Sequence, residues 1–251
     1  MNIKAKLDKA LLTQTFAQDN TSALLLKYQA IAKVYAEVEN AIAVLSDLKN
    51  KKSSIYYGAI STSIIKKPSL AAQEISSIWE DEILDNFHPD DLIKKQVLEY
   101  HFFYFLKDKP ITEWTNYYTA INLRTKSGSG DHKVLHRMFY AIEGDTVRLA
   151  LCIYNLAGKS LNTLIHDTGV IINSTTGTTH YCNDFKHDMP ISSREKEVLL
   201  LIDHGKMSKE IATQFNISLN TVNRHRQNIL KKLRVTNSME ACRLAKALHI
   251  I

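Results

Sequence analysis

The sequence predicts an α+β chain, with an antiparallel sheet and its helices filling most of the length and an all-α domain filling the last quarter. Three observations predict it. Branched and aromatic residues dominate three long runs between 118 and 154, with period-two alternation in the last of them. Apolar residues recur at helical spacing up to about 38 and again from about 69 to 107. Beyond Pro190, serines stand at the heads of several short runs of helical period.

In chain order, the residues up to about 38 read as helical, with Leu7 and Leu11, then Leu24, Tyr28, Ile31, Val34, Tyr35 and Val38 on repeating faces. A helix outside a sheet core either pairs two subunits or packs on its own domain, and both remain open here. Asn40 to Leu48 and Ser54 to Ile60 read as two strands around Lys49-Asn50-Lys51-Lys52. The helical stretch from 69 to 107 breaks at His88-Pro89, where Asp90 and Asp91 suit the positive end of a new helix. Strands follow at Tyr118 to Arg124, Val134 to Ile142 and Val147 to Tyr154, the last two joined by a turn at Glu143-Gly144-Asp145. Val147, Leu149, Leu151 and Ile153 alternate with Arg148, Ala150, Cys152 and Tyr154, so one face is built for a core. Gly169 to Ser174 and Thr178 to Tyr181 form a further hairpin around Gly177, in the same sheet or another.

A chain of 251 residues has room for two modest domains. The boundary is placed near 180 to 190, where Asn183, Asp184, Lys186, His187, Asp188 and Pro190 interrupt the apolar pattern. This gives residues 1–185, with a core at about 36–160, and residues 186–251. No run of eighteen apolar residues and no signal-peptide core is present, so the expected compartment is the cytoplasm, with no membrane partner. Cys152, Cys182 and Cys242 have neither disulfide-framework nor zinc spacing and are expected to be reduced thiols.

The last quarter carries the most specific pattern. Ser192 and Glu195 stand three apart, as a capping box requires, and Ser208 and Ser218 stand where N-caps are wanted for Lys209 to Phe215 and Leu219 to Arg234. Only Asn216, Ile217 and Ser218 separate those two runs, which is the turn of a helix-turn-helix. On the second helix Val222, Ile229 and Leu233 share one side and should pack on Ile211, Ala212 and Phe215. Asn220, Asn223, Arg224, Gln227, Lys231 and Arg234 share the other, and no acidic residue occurs from 219 to 234. Asn, Gln and Arg make bidentate contacts with base edges in the major groove. Asn223, Arg224 and Gln227, near the helix start, are therefore assigned to base readout. Lys209, Thr221, Arg226, Asn228 and Lys231 are assigned to phosphates, and Asn220 joins the same DNA-facing set. Residues 188–251 hold eleven Lys and Arg against six Asp and Glu, so they carry +5 of the net +6, an excess that favours polyanion binding with steep salt dependence.

These residues resemble the DNA-binding domain of LuxR-type bacterial regulators, also called GerE or FixJ type, over 191 to 248. The matching positions include Arg194, Glu195, Val198, Leu199, Gly205, Lys209, Glu210, Ile217, Thr221, Val222, His225, Lys232, Leu233 and Ala241. The resemblance implies a four-helix domain, with a scaffold helix near 193 to 203 and a last helix near 238 to 248 that forms the dimer contact on DNA. The chain departs from the common pattern at Asn223, Arg234 and Ser238, so no operator sequence carries over. Region four of sigma factors has a similar helical domain and is the alternative from another class. The acidic and aromatic pattern its upstream partner domain needs does not occur in 1–180.

The order of two strands, helices, then three long strands resembles a PAS sensor domain over roughly 36 to 160, and Phe87-His88-Pro89-Asp90-Asp91-Leu92 is similar to an element of that family. The resemblance implies either a domain sensing a small-molecule ligand or a module that pairs subunits or binds a protein partner. Tyr100 to Phe105 read as core in preference to pocket lining, and His101 and His136 as structural in preference to haem ligands, so neither a cofactor nor a metal is expected. A phosphorylated receiver lacks its alternating strand-helix pattern here, and an acyl-homoserine-lactone sensor lacks its tyrosine, since Ile83 stands four residues after Trp79. Ser127-Gly128-Ser129-Gly130 reads as a strand turn, not a phosphate cradle, because no helix start follows. The expected protein is a regulator of transcription and not an enzyme. It binds double-stranded DNA, most simply as a homodimer, with RNA polymerase as a further candidate partner.

Overall fold

A computed structural model describes residues 3–16, 23–65, 72–126, 133–156, 165, 168–181, 191–233, 235–247 and 250–251. The chain forms two compact units, one of Leu7–Cys182 and one of Asn183–Ile251 together with Met1–Lys6. The elements are α1 Ile3–Leu12, α2 Ala23–Val38, β1 Ile42–Asp47, β2 Lys52–Tyr57, α3 Ser61–Ile64, β3 Gln73–Ile75, α4 Asp81–Leu84 and α5 Pro89–Lys107. A 3₁₀ turn at Ile111–Asn116 leads to β4 Tyr117–Arg124, β5 Lys133–Glu143, β6 Thr146–Leu156, β7 Val170–Asn173 and β8 Thr179–Tyr181. Four helices close the chain: α6 Ser193–Asp203, α7 Ser208–Phe215, α8 Leu219–Leu233 and α9 Ser238–Ala247.

The first unit is built on one antiparallel sheet of order β3-β2-β1-β6-β5-β4-β7-β8. The hairpin of β7 and β8 joins the same sheet, because Tyr117 to Ala120 of β4 pair with Val170 to Asn173. β5 and β6 are joined through Gly144, whose φ of 62° is a backbone region closed to most side chains. Residues 73–75 correct the expected helix there, since Ser53 to Ile55 of β2 recruit them as a short edge strand. The expected order of elements is present in this antiparallel sheet: two strands, helices, then three long strands.

β6 also departs from expectation, because both of its faces are buried from Thr146 to Tyr154. Val147, Leu149, Leu151 and Ile153 do face a core, but it is α2 that supplies the cover. Ala32 and Ala36 of that helix pack with Ala41, Ala43, Leu45, Ala141, Leu149, Leu151 and Ile153. Small residues on both sides let helix and sheet approach closely. The helix thus packs on its own domain while Leu26, Val34 and Val38 stay exposed. On the other face, Lys95 and Glu99 of α5 line a cavity with Ala150 and Cys152 of β6, and Phe102 of α5 stacks on Tyr140 of the neighbouring β5 with ring centroids 5.0 Å apart.

The start of α5 is more constrained than a favourable dipole. His88 is the N-cap, its Nδ1 accepting from the Asp90 amide at 3.3 Å, and Pro89 occupies the first turn. Asp91 is buried and accepts from the Arg124 amide at 2.8 Å and from its Nε at 2.9 Å, locking the helix start to the end of β4. The Ser127–Gly130 turn, Cys182 and the 183–190 boundary lie outside the described residues.

Candidate nucleic-acid interface

The second unit is assembled by polar ties that begin in its first turn. The Ser192 Oγ accepts from the Glu195 amide at 3.3 Å, and the Glu195 carboxylate accepts from the Ser192 amide at 2.7 Å, completing the expected capping box. The same Oε2 accepts from Lys232 Nζ on α8 at 2.6 Å. Burial pushes the Glu195 carboxyl up, but the bonds from Lys232 and Ser192 outweigh it and hold the group below the usual carboxylate range. Arg194 lies over the Phe215 ring at 3.5 Å, tying α6 to α7. Lys246 of α9 pairs with Asp203 of α6 at 2.7 Å, and the Cys242 thiol faces the Leu199 carbonyl at 3.8 Å.

The three-residue turn is as expected. α7 ends at Phe215, Asn216 takes the left-handed conformation at φ 51°, the Ile217 amide donates to the Ala212 carbonyl at 3.0 Å, and α8 starts at Leu219. Ser218 caps α8, its Oγ accepting from the Thr221 amide at 3.1 Å. Ser208 does not cap α7. The N-cap is Met207, whose amide donates to Glu210 at 2.8 Å, and Ser208 lies one residue inside the helix. Glutamate three residues after the cap reaches back to its amide whatever the cap's own side chain, so the helix starts where Glu210 can satisfy a donor.

Val222, Ile229 and Leu233 of α8 are buried along with Ile211 and Ala212 of α7, and Phe215 is half-buried. The opposite face is open. Asn220, Thr221, Asn223, Arg224, Gln227 and Lys231 are exposed on it, and Lys209 is exposed on α7. Asn228 is half-buried at the edge. Arg226 turns inward, its Nη1 donating to Ser208 at 3.3 Å and its Nη2 to Ser238 at 3.0 Å, so it joins α7, α8 and α9. Arg234 lies outside the described residues. Sequence reasoning missed the tie from Glu195 to Lys232, which fixes α8 against the scaffold helix. A periodic pattern shows which face a residue is on but not which residue on another helix it meets.

The first unit also holds a buried polar cluster. A cavity of about 20 Å³ is lined by residues that include Ser46, Glu80, Lys95, Glu99, Tyr140 and Cys152. That is room for about one water molecule. Lys95 and Glu99 pair at 2.7 Å on α5 with both side chains 2% exposed. Tyr154 donates its hydroxyl to Glu80. Burial pushes the His136 imidazole well down, with Lys95 and Arg137 adding to the effect, and pushes the Cys152 thiol well up. Phe102, Phe103 and Phe105 are buried core residues, as the Tyr100–Phe105 run suggested. The unexpected lining comes from residues one and two turns earlier on α5, where Lys95 and Glu99 are spaced as a surface ion pair would be.

Residues 189–245 match the family model described as GerE, bacterial regulatory proteins, luxR family. The uncharacterized response regulatory protein YgeK of Escherichia coli is 43% identical over 61 residues, covering 24% of this chain and 42% of that protein. The transcriptional regulatory protein DesR of Bacillus subtilis is 46% identical over 57 residues, 23% of this chain and 29% of its own. The chain spans less than half the length of these curated relatives. The phage VqmA–DPO complex aligns over 92% of this chain and 94% of its own, at 11% identity and a TM-score of 0.31.

Proposed function

We propose that this chain, whose residues 189–245 form a domain of the luxR family of bacterial regulatory proteins, is a sequence-specific DNA-binding regulator of transcription. One observation carries the reading. The exposed face of α8 presents Asn220, Asn223, Arg224, Gln227 and Lys231 without an acidic residue from Leu219 to Leu233, on a helix held by a three-residue turn. A face with that set of donors and no carboxylate is suited to the major groove, and Asn223, Arg224 and Gln227, within the first nine residues of the helix, are the ones assigned to base edges. Thr221, Lys231 and Lys209, all exposed, are assigned to phosphates in this reading, with half-buried Asn228 at the margin and Asn220 beside the helix start. Arg226 is better suited to holding the three helices together than to a phosphate, because its guanidinium is already bonded to Ser208 and Ser238.

The regulator acts as a homodimer in this reading, with α9 at the contact, so that two copies of α8 meet half-sites about 34 Å apart per helical turn. Residues 1–185 are assigned to a PAS-like sensing or pairing domain and 186–251 to DNA binding. A protein that acts on bacterial DNA works in the cytoplasm, and that compartment is part of the proposal. The proposed activity is non-enzymatic.

Selection of bound sequences from a random duplex pool, followed by titration of the winner, tests the reading. Arg224→Ala is expected to cost about 1–3 kcal/mol on selected DNA and little on random DNA, whereas Lys231→Ala weakens both equally and lowers the salt slope by about 1. Failure of the pool to enrich any sequence would refute sequence-specific recognition, and equal losses in both variants would refute the division of roles.

A further inference from the structure

We propose that Glu80, His136 and Cys152 form a binding site for a divalent transition-metal ion of the zinc class inside the sheet unit. The three come from separate elements. Glu80 lies between β3 and α4, His136 is on β5 and Cys152 on the neighbouring strand β6. His136 and Cys152 are diagonal neighbours on one face, since Met138 pairs with Cys152 and His136 with Tyr154. A carboxylate oxygen, a ring nitrogen and the thiol sulfur all lie within 4.8 Å of one another. Tetrahedral ligands at bonds of about 2.0–2.3 Å stand roughly 3.3–3.8 Å apart, so the donors need to close by about 1 Å around an ion.

Two further observations point to a ligand. His136 is completely buried, yet neither ring nitrogen has a hydrogen-bond partner, the nearest acid being Glu99 with an oxygen 3.9 Å from Nε2. Buried imidazole nitrogens are ordinarily bonded, because burial strips their water. A metal on one nitrogen satisfies it without moving the strand. The formal charges also fall short of balance: Glu80 and Glu99 line the same cavity as one ammonium, Lys95. A dication that binds Cys152 as its thiolate, releasing the thiol proton to solvent, brings the cluster to zero.

The donor set selects the class of ion. A thiolate with an imidazole suits zinc and its neighbours, whereas magnesium and calcium take oxygen shells. Tyr154, which donates to Glu80, supplies the outer-shell bond that orients a carboxylate ligand. The cavity beside the cluster, at about 20 Å³, is sized for an ion or a water and not for a metabolite. Binding would fix the connection carrying Glu80 to the centre of the sheet, which makes metal occupancy a signal the first unit could register.

The test is a titration of the full chain with Co²⁺ after chelator treatment, in a Cys182→Ser, Cys242→Ser background that leaves Cys152 as the sole thiol. The expected result is one Co²⁺ per chain with a thiolate-to-cobalt charge-transfer band, displaced by Zn²⁺. Cys152→Ala should abolish the band, and His136→Ala should weaken binding by roughly ten-fold or more. A second reading guards against a variant that folds poorly. Trp79 and Trp114 are the two tryptophans of the chain, and Zn²⁺ should raise the thermal midpoint of their fluorescence in the parent chain but not in His136→Ala. A folded parent chain that gives no charge-transfer band, or a band that survives Cys152→Ala, overturns the assignment.

Discussion

Replacing Glu195 probes how the candidate recognition helix is held. Its carboxylate accepts from the Ser192 amide at 2.7 Å and from Lys232 at 2.6 Å, so Glu195→Ala removes a capping bond and an interhelical ion pair together. Loss of the cap costs about 1 kcal/mol. The Lys232 side chain is 32% exposed, so solvent screens its pair with Glu195 and that part is held to about 0.5–1 kcal/mol. A total near 2 kcal/mol in a helical unit of this size lowers its midpoint by roughly 10 °C, at about 4–8 °C per kcal/mol. Glu195→Gln keeps an acceptor for Ser192 and loses only the charge, so it should cost about half as much.

The same variant has a pH signature. Because the folded carboxyl is held below the usual range, its contribution is complete above the unfolded glutamate value of about 4.3 and is lost as pH falls through the lower folded value. The gap between the parent chain and Glu195→Gln should therefore be full at neutral pH and close in acid. The assay is thermal unfolding followed by helical circular dichroism, with tryptophan fluorescence as the internal control, because Trp79 and Trp114 both belong to the sheet unit. A gap that persists unchanged into acid, or that appears equally in the tryptophan signal, refutes the reasoning.

Two further substitutions test the sheet unit. Gly58→Ala places a Cβ 2.3 Å from the Ala36 carbonyl oxygen and 2.6 Å from that of Ala41, where the neighbours are backbone and cannot swing away. It should lower the tryptophan-detected stability by about 2–3 kcal/mol, and an unchanged midpoint in urea would refute the close approach. Lys95→Met strands the buried Glu99 carboxylate and should cost about 3–5 kcal/mol, while adding Glu99→Leu should recover most of it. A double variant no more stable than the single one in the same urea titration would contradict the pairing.

The helical unit was legible because its determinants are local. Ser192 and Glu195 are three residues apart, Asn216 to Ser218 is a complete turn, and Val222, Ile229 and Leu233 declare their face by spacing alone. The sheet was legible in its long strands for the same reason. What escaped depends on residues far apart in sequence. Gln73 to Ile75 have no strand pattern of their own and become β3 only because β2 offers a free edge. Cys152 and Tyr154 read as the outer face of an alternating strand, yet both are buried, Cys152 beside a cavity shared with Lys95 and Glu99 of α5 and Tyr154 against the Phe87 ring. Arg226 looks like any cation on a basic helix, and its bonds to Ser208 and Ser238 come from two other helices.

The strand order also sets a timetable for synthesis. β1 lies between β2, which follows it at once, and β6, whose Leu151 is the partner of Leu45. At translation rates of about 5–20 residues per second, the hundred residues between them take roughly 5–20 s to emerge. For that interval the β1–β2 hairpin carries an unsatisfied edge, and the apolar face of α2 has only part of its eventual cover. Delivery of β6 closes the edge and completes that cover in one event. The nascent chain is therefore most vulnerable to misassociation before residue 156, and slower translation through the first unit would lengthen that exposure instead of relieving it.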